Sequence, residues 1–122
     1  MYSEIVQDHF ENPRNVGAID QPDAEAEAYN PVCGDAMHLY LRIEDGRIIE
    51  ATFQTQGCPP AIAASSMLTE LLVGRTLDES LALDRDAITE ALGGLPAQKA
   101  HSAVLTEDAI KAAVANYRKR VS

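Results

Sequence analysis

Two runs of strictly alternating apolar and polar residues lie in the middle of the chain. Met37, Leu39, Leu41 and Ile43 alternate with His38, Tyr40, Arg42 and Glu44, and Ile49, Ala51, Phe53 and Thr55 continue the rhythm after a short break. A period of two sends successive side chains to opposite faces of a sheet, so the runs predict half-buried strands over 36–44 and 47–56, with His38 pointing outward. Asp45-Gly46 between them is the pair preferred in a type I′ turn, which makes the two strands a hairpin. Upstream, Ala24, Ala26 and Ala28 alternate with Glu25, Glu27 and Tyr29, predicting an edge strand over 23–29 that carries charge outward.

Helical spacing governs the rest. Ser3 is placed to cap a short helix to Phe10 with Ile5, Val6 and Phe10 on one face, and Asn12-Pro13-Arg14-Asn15 stops it. His9, beside that face, reads as a packing or capping residue. A second helix, rich in small residues, starts behind Gly57-Cys58-Pro59-Pro60 and ends at Val73-Gly74. Short helical stretches follow over 77–83 and 86–92. The last helix begins near Ala100, with Ile110, Val114, Tyr117 and Val121 as its buried stripe and Ser102 as its cap. The stretch 16–24 lacks periodicity and reads as a loop.

Composition narrows the class. With 122 residues and 46% hydrophobic content the chain supports one core and one domain. Nineteen acidic against ten basic side chains give a net charge of −9, which argues against nucleic acid or an anionic membrane as partner. The basic cluster Arg118-Lys119-Arg120 suits the C-terminal end of a helix dipole and requires no ligand. No apolar run approaches the roughly 20 residues of a membrane span, and the opening residues do not resemble a signal peptide, so a cytoplasmic location is the expectation. Two cysteines in a reducing compartment are free, metal-bound or redox-active rather than a structural disulfide. Two sulfurs cannot complete a four-thiolate site, so any metal must borrow ligands from His, Asp or another molecule.

Candidate chemistry concentrates at element ends. In Asn30-Pro31-Val32-Cys33-Gly34-Asp35, proline fixes its own φ and glycine can adopt a positive one, so Cys33 and Asp35 can face the same way. A thiol and a carboxylate so placed could bind zinc or iron, or could simply belong to a turn. Cys58 stands at a helix N-terminus, where the macrodipole favours a thiolate, although a small buried corner residue would look the same. His101 offers an imidazole at the start of the last helix, or a solvated first-turn histidine. Ligands at the ends of rigid elements are a common way to build a metal site, but spacing alone leaves convergence open.

Three segments together resemble the IscU/NifU iron–sulfur cluster scaffold family. They are Asn30 to Asp35, then Gly57-Cys58 with Ala61-Ile62-Ala63 and Ser65-Ser66, then Lys99-x-His101 with Leu105 and Glu107 to Ala113. The resemblance runs from the opening helix to about Tyr117. It implies an α+β fold, a three-stranded antiparallel sheet packed against several helices, in one domain over 1–122. It also implies assembly of a 2Fe–2S cluster from iron and the sulfur of a cysteine desulfurase, for delivery to apo iron–sulfur acceptor proteins. Cys33 and Cys58 would be thiolate ligands, His101 an imidazole ligand, Asp35 the carboxylate that keeps the cluster labile, and Lys99 a positive charge near its sulfurs. Such mixed ligation holds iron more weakly than four thiolates.

The chain departs from the family at three places. Ser102 stands where the family has a third cysteine, Pro59-Pro60 replace smaller residues, and Leu95-Pro96-Ala97-Gln98-Lys99 keeps only part of the loop read by an Hsp70-type chaperone. Three functions fit: a scaffold or carrier for iron or a cluster, a zinc-binding sulfur acceptor working with a desulfurase, or a cofactor-less interaction protein able to form a Cys33–Cys58 disulfide. None needs turnover by this chain alone, so the expectation is a non-enzyme.

Overall fold

The structure, a computed structural model, describes residues 2–122. In chain order it contains α1 (Glu4–Glu11), β1 (Ala24–Asn30), β2 (Asp35–Glu44), β3 (Arg47–Gln56), α2 (Pro59–Leu72), α3 (Leu77–Ser80), α4 (Arg85–Ala91), a 3-10 turn (Ala97–Lys99) and α5 (His101–Val121). The strands form one antiparallel sheet in the order β1-β2-β3. This is the α+β arrangement expected from the sequence.

At the β2–β3 hairpin, Asp45 (φ 53°) and Gly46 (φ 77°) both take positive φ, as a type I′ turn demands. A bulge then interrupts the register: Arg42 pairs with Glu50 while Ile43 pairs with Ile48. The extra residue on β3 reverses the faces beyond it. Ile48 is therefore fully buried and Ile49 is 45% exposed, the opposite of what unbroken alternation predicts for Ile49. His38 lies on the outer face as expected, with Nε2 3.0 Å from a Glu25 oxygen and Nδ1 3.1 Å from a Glu27 oxygen.

The inner face of the sheet carries Met37, Leu39, Leu41, Ala51 and Phe53, and α2 and α5 cover it. Ala24, Ala26 and Ala28 of β1 face a helix that is itself built from small residues, including Ala103, Ala109 and Ala113, all buried. The predicted stripe of α5 holds at Ile110 and Val114, is half-buried at Tyr117, and fails at Val121, which is 61% exposed. Side chains near that end grip the edge of the sheet instead. Asn116 Nδ2 donates to the Glu25 carbonyl, and Arg120 donates to the carbonyls of Pro22 and Asp23, which blunts an otherwise open strand edge. Among the described residues no helix is long and apolar enough to cross a membrane.

Helix α1 is capped by Ser3, whose hydroxyl accepts from Val6 N–H, as predicted. Its buried residues are Val6 and His9, however, and Ile5 and Phe10 stay substantially exposed. A hydroxyl on α2 accounts for the rotation: Ser66 Oγ lies 2.8 Å from His9 Nδ1 and also accepts from Arg14 N–H. Removing it in Ser66→Ala orphans both partners and is expected to cost about 1–3 kcal/mol, read from the urea midpoint. Burial, reinforced by the Arg14 charge, holds the His9 imidazole below the ordinary value of 6.5. The unfolded chain therefore takes up this proton first. The His9 contribution to stability is present in full at pH values above about 6.5 and is lost as the pH falls below it, which a urea midpoint series from pH 8 to 5 would record.

Candidate metal centre

The turn between β1 and β2 is built by its own sequence. Asn30 Oδ1 accepts from Val32 N–H at 3.0 Å, and Gly34 N–H reaches back to the Asn30 carbonyl at 2.7 Å with φ 75°. The chain reverses so tightly that Asn30 and Asp35 pair as the last rung of the β1–β2 ladder. Cys33 is left exposed on the turn, while the Asp35 side chain points inward, 2% exposed as a residue. At the neighbouring strand end, Gly57 leads into Cys58, the N-cap residue of α2, with Pro59 and Pro60 in the first helical turn as predicted. The 3-10 turn at Ala97–Lys99 then delivers His101 as the first residue of α5.

Four of the five predicted site residues meet at this corner. Asp35 Oδ1 accepts from Cys58 N–H at 3.2 Å, and Oδ2 lies 3.4 Å from Cys58 Sγ and 3.3 Å from His101 Nε2. Cys58 Sγ is 4.0 Å from His101 Nε2, and Cys33 Sγ is 3.8 Å from His101 Nδ1. The donor atoms of Cys33, Asp35 and His101 all fall within 4.8 Å of one another. Asp35 and Cys58 thus face one nitrogen of the ring and Cys33 faces the other. A ligating imidazole offers one nitrogen to an ion, so Cys33, on its exposed turn, is the group with freedom to adjust. Both thiols are free.

These residues fit a thiophilic metal. Two sulfurs, one imidazole and one carboxylate suit iron or zinc and do not suit calcium or magnesium, which take oxygen. Bonds of about 2.0–2.3 Å in a tetrahedron separate donors by roughly 3.3–3.8 Å, close to the spacings at Asp35, Cys58 and His101. Lys99, the fifth predicted residue, is half-buried in the 3-10 turn two positions before His101 and forms no ion pair with Asp35 among the described residues.

Two further residues belong to the corner. Ser102 was expected to cap α5, but Ala100 occupies the cap position without a side-chain bond, and Ser102 is fully buried with its Oγ 3.8 Å from Cys58 Sγ. The 3-10 turn leads directly into α5, so no extended residue is left for a serine to cap. Gly57 approaches Asp35 more closely than any side chain could, a contact between two strand ends that no local pattern in the sequence reports.

Comparison with known proteins agrees with this architecture. The chain is 51% identical over 120 residues to the iron-sulfur cluster assembly scaffold protein IscU 1 of Archaeoglobus fulgidus, covering 98% of this chain and 78% of that one. It is 48% identical over 123 residues to the iron-sulfur cluster assembly scaffold protein IscU of Escherichia coli, covering 98% and 95%. The crystal structure of a nitrogen-fixing NifU-like protein (N-terminal) from Brucella abortus superposes with a TM-score of 0.77 at 23% identity, over 97% of this chain and 94% of that one. Residues 1–122 match the NifU-like N terminal domain, and the chain belongs to that family.

Proposed function

We propose that this chain is an iron–sulfur cluster assembly scaffold and carrier whose cargo, iron or a labile 2Fe–2S cluster, is held by Cys33, Asp35, Cys58 and His101. One observation carries the reading: side chains from the β1–β2 turn, the start of β2, the start of α2 and the start of α5 converge within ligand-to-ligand distance. Relatives of about half identity over nearly the whole chain bear the scaffold name, which supports it.

The division of labour follows from donor chemistry. Thiolates of Cys58 and Cys33 hold iron firmly, while a carboxylate and an imidazole make weaker and more exchangeable bonds. Asp35 has one oxygen committed to the Cys58 amide, while the other lies between Cys58 Sγ and His101 Nε2 and turns to the cargo when those two groups ligate it. Cys33, on the exposed turn, is the sulfur that a desulfurase can reach and the one best placed to pass cargo to an apo acceptor protein. Lys99 supplies a cation near the anionic sulfurs. The loop from Leu95 to Lys99 adjoins His101, so an Hsp70-type chaperone that took hold of it would pull on a ligand. Two free thiols suit a reducing compartment such as the cytoplasm. No part of this role requires turnover of a substrate by this chain alone.

The spacing of the donors favours a second reading, in which a single zinc ion occupies the corner and the chain accepts sulfur from a cysteine desulfurase. Anaerobic reconstitution with iron and sulfide separates the two. Brown protein with sulfur-to-iron charge-transfer absorption, lost in Cys58→Ala, is the expected result. A colourless product with one equivalent of zinc by elemental analysis would favour the zinc reading, and folded protein that takes neither metal would leave an interaction protein.

A further inference from the structure

Six of the seven glycines of this chain have positive φ, Gly93 among them with only ordinary contacts at 3.4 Å or more for an added Cβ. At the other five, Gly17, Gly34, Gly46, Gly74 and Gly94, a Cβ would meet nothing within 4 Å. Gly57 is the reverse: its φ lies outside the positive region, so backbone freedom does not explain it, but a Cβ there would lie 2.7 Å from Asp35 Cγ and 3.0 Å from Asp35 Cβ, with Oδ1 closer still. Real Cβ atoms do not approach that closely, and the atoms they would strike include the Cβ and Cγ of a short side chain that is itself buried.

The geometry points to Gly57 as the positioning residue of the carboxylate. The missing Cβ is the space that Asp35 fills. Filling it brings Oδ1 within 3.2 Å of the Cys58 amide, at a helix N-terminus whose own N-cap side chain makes no capping bond, and holds Oδ2 beside Cys58 Sγ and His101 Nε2. Any side chain at position 57 pushes the carboxylate out of this arrangement. Gly57 acts on the cargo through Asp35 and touches no cargo itself.

The test compares the native sequence with Gly57→Ala, Asp35→Gly and the double variant. Asp35→Ala would not serve as the partner, because its remaining Cβ would still stand 3.0 Å from the new one. Two readouts are used: hydrogen exchange of the Cys58 amide in metal-free protein, and Co(II) affinity with its sulfur charge-transfer band. Gly57→Ala is expected to speed the exchange and to weaken Co(II) binding by about tenfold, in step with Asp35→Gly. The double variant should match Asp35→Gly alone, since the collision has gone.

A Gly57→Ala protein with native amide protection and affinity would overturn the proposal. So would a double variant that loses clearly more than Asp35→Gly. Should Gly57→Ala fail to fold, the double variant is expected to fold, and its failure beside a folded Asp35→Gly would count equally against the idea. Only the Co(II) arm rests on Asp35 being a ligand. A native protein that accepts no cluster but shows the predicted amide pattern would remove the carrier reading and leave this one standing.

Discussion

Ser102→Cys is expected to lengthen the lifetime of a reconstituted cluster by about tenfold or more, measured as loss of charge-transfer absorption under a chelator. The serine is fully buried and its Oγ stands 3.8 Å from Cys58 Sγ. Two sulfurs on one tetrahedral metal with bonds near 2.3 Å are separated by about 3.8 Å, so a thiolate at position 102 enters the ligand shell without moving the backbone. A hydroxyl there is a poor ligand for iron in comparison with a thiolate. The substitution is nearly isosteric in a buried site, so the thermal midpoint of the metal-free protein should change little. Unchanged retention would show that the cargo does not extend to the His101–Ser102 end of the corner.

Asp35→Ala should move two quantities in opposite directions. For an assembled cluster, unlike a single ion whose equilibrium affinity falls with the loss of a donor, removing the weakest, hardest ligand leaves the iron on softer donors and closes the easiest exit, so the rate of release to a chelator or acceptor should slow by about tenfold. The same change strips the Cys58 amide of its acceptor at the N-terminus of α2, at a cost of about 1–3 kcal/mol in the metal-free protein. A longer-lived cluster on a less stable fold is a combination that general damage does not produce. Faster release would contradict the role given to the carboxylate.

Much of the frame was legible because it follows local rules. The β2–β3 hairpin declares itself through a period of two and an Asp45-Gly46 turn, and the start of α2 through Pro59 and Pro60. The errors have local causes as well. Unbroken alternation misplaced Ile49 because a bulge adds one residue to β3, and α1 turned its Ile5–Phe10 face outward because Ser66 offers His9 a hydrogen bond.

The site divides in the same manner. That Cys33, Asp35, Cys58 and His101 occupy element ends could be read from the chain, but their meeting depends on how strand ends and helix starts stack, which no spacing encodes; the family motifs carried that step. A serine at a helix start is ordinarily a cap, and only the packing shows that the neighbour of Ser102 is a sulfur. Gly57 stands within a family motif, and the chain gives no local sign of its purpose, because its reason is a collision with a residue on another strand.

Helix α5 presents His101 at one end, and near the other its Asn116 and Arg120 hold the backbone of the β1 edge. At 21 residues it is a rod of about 31 Å. Its two ends therefore belong to one rigid element, so the contacts that fasten the β1 margin also help to fix where the imidazole stands beside Asp35.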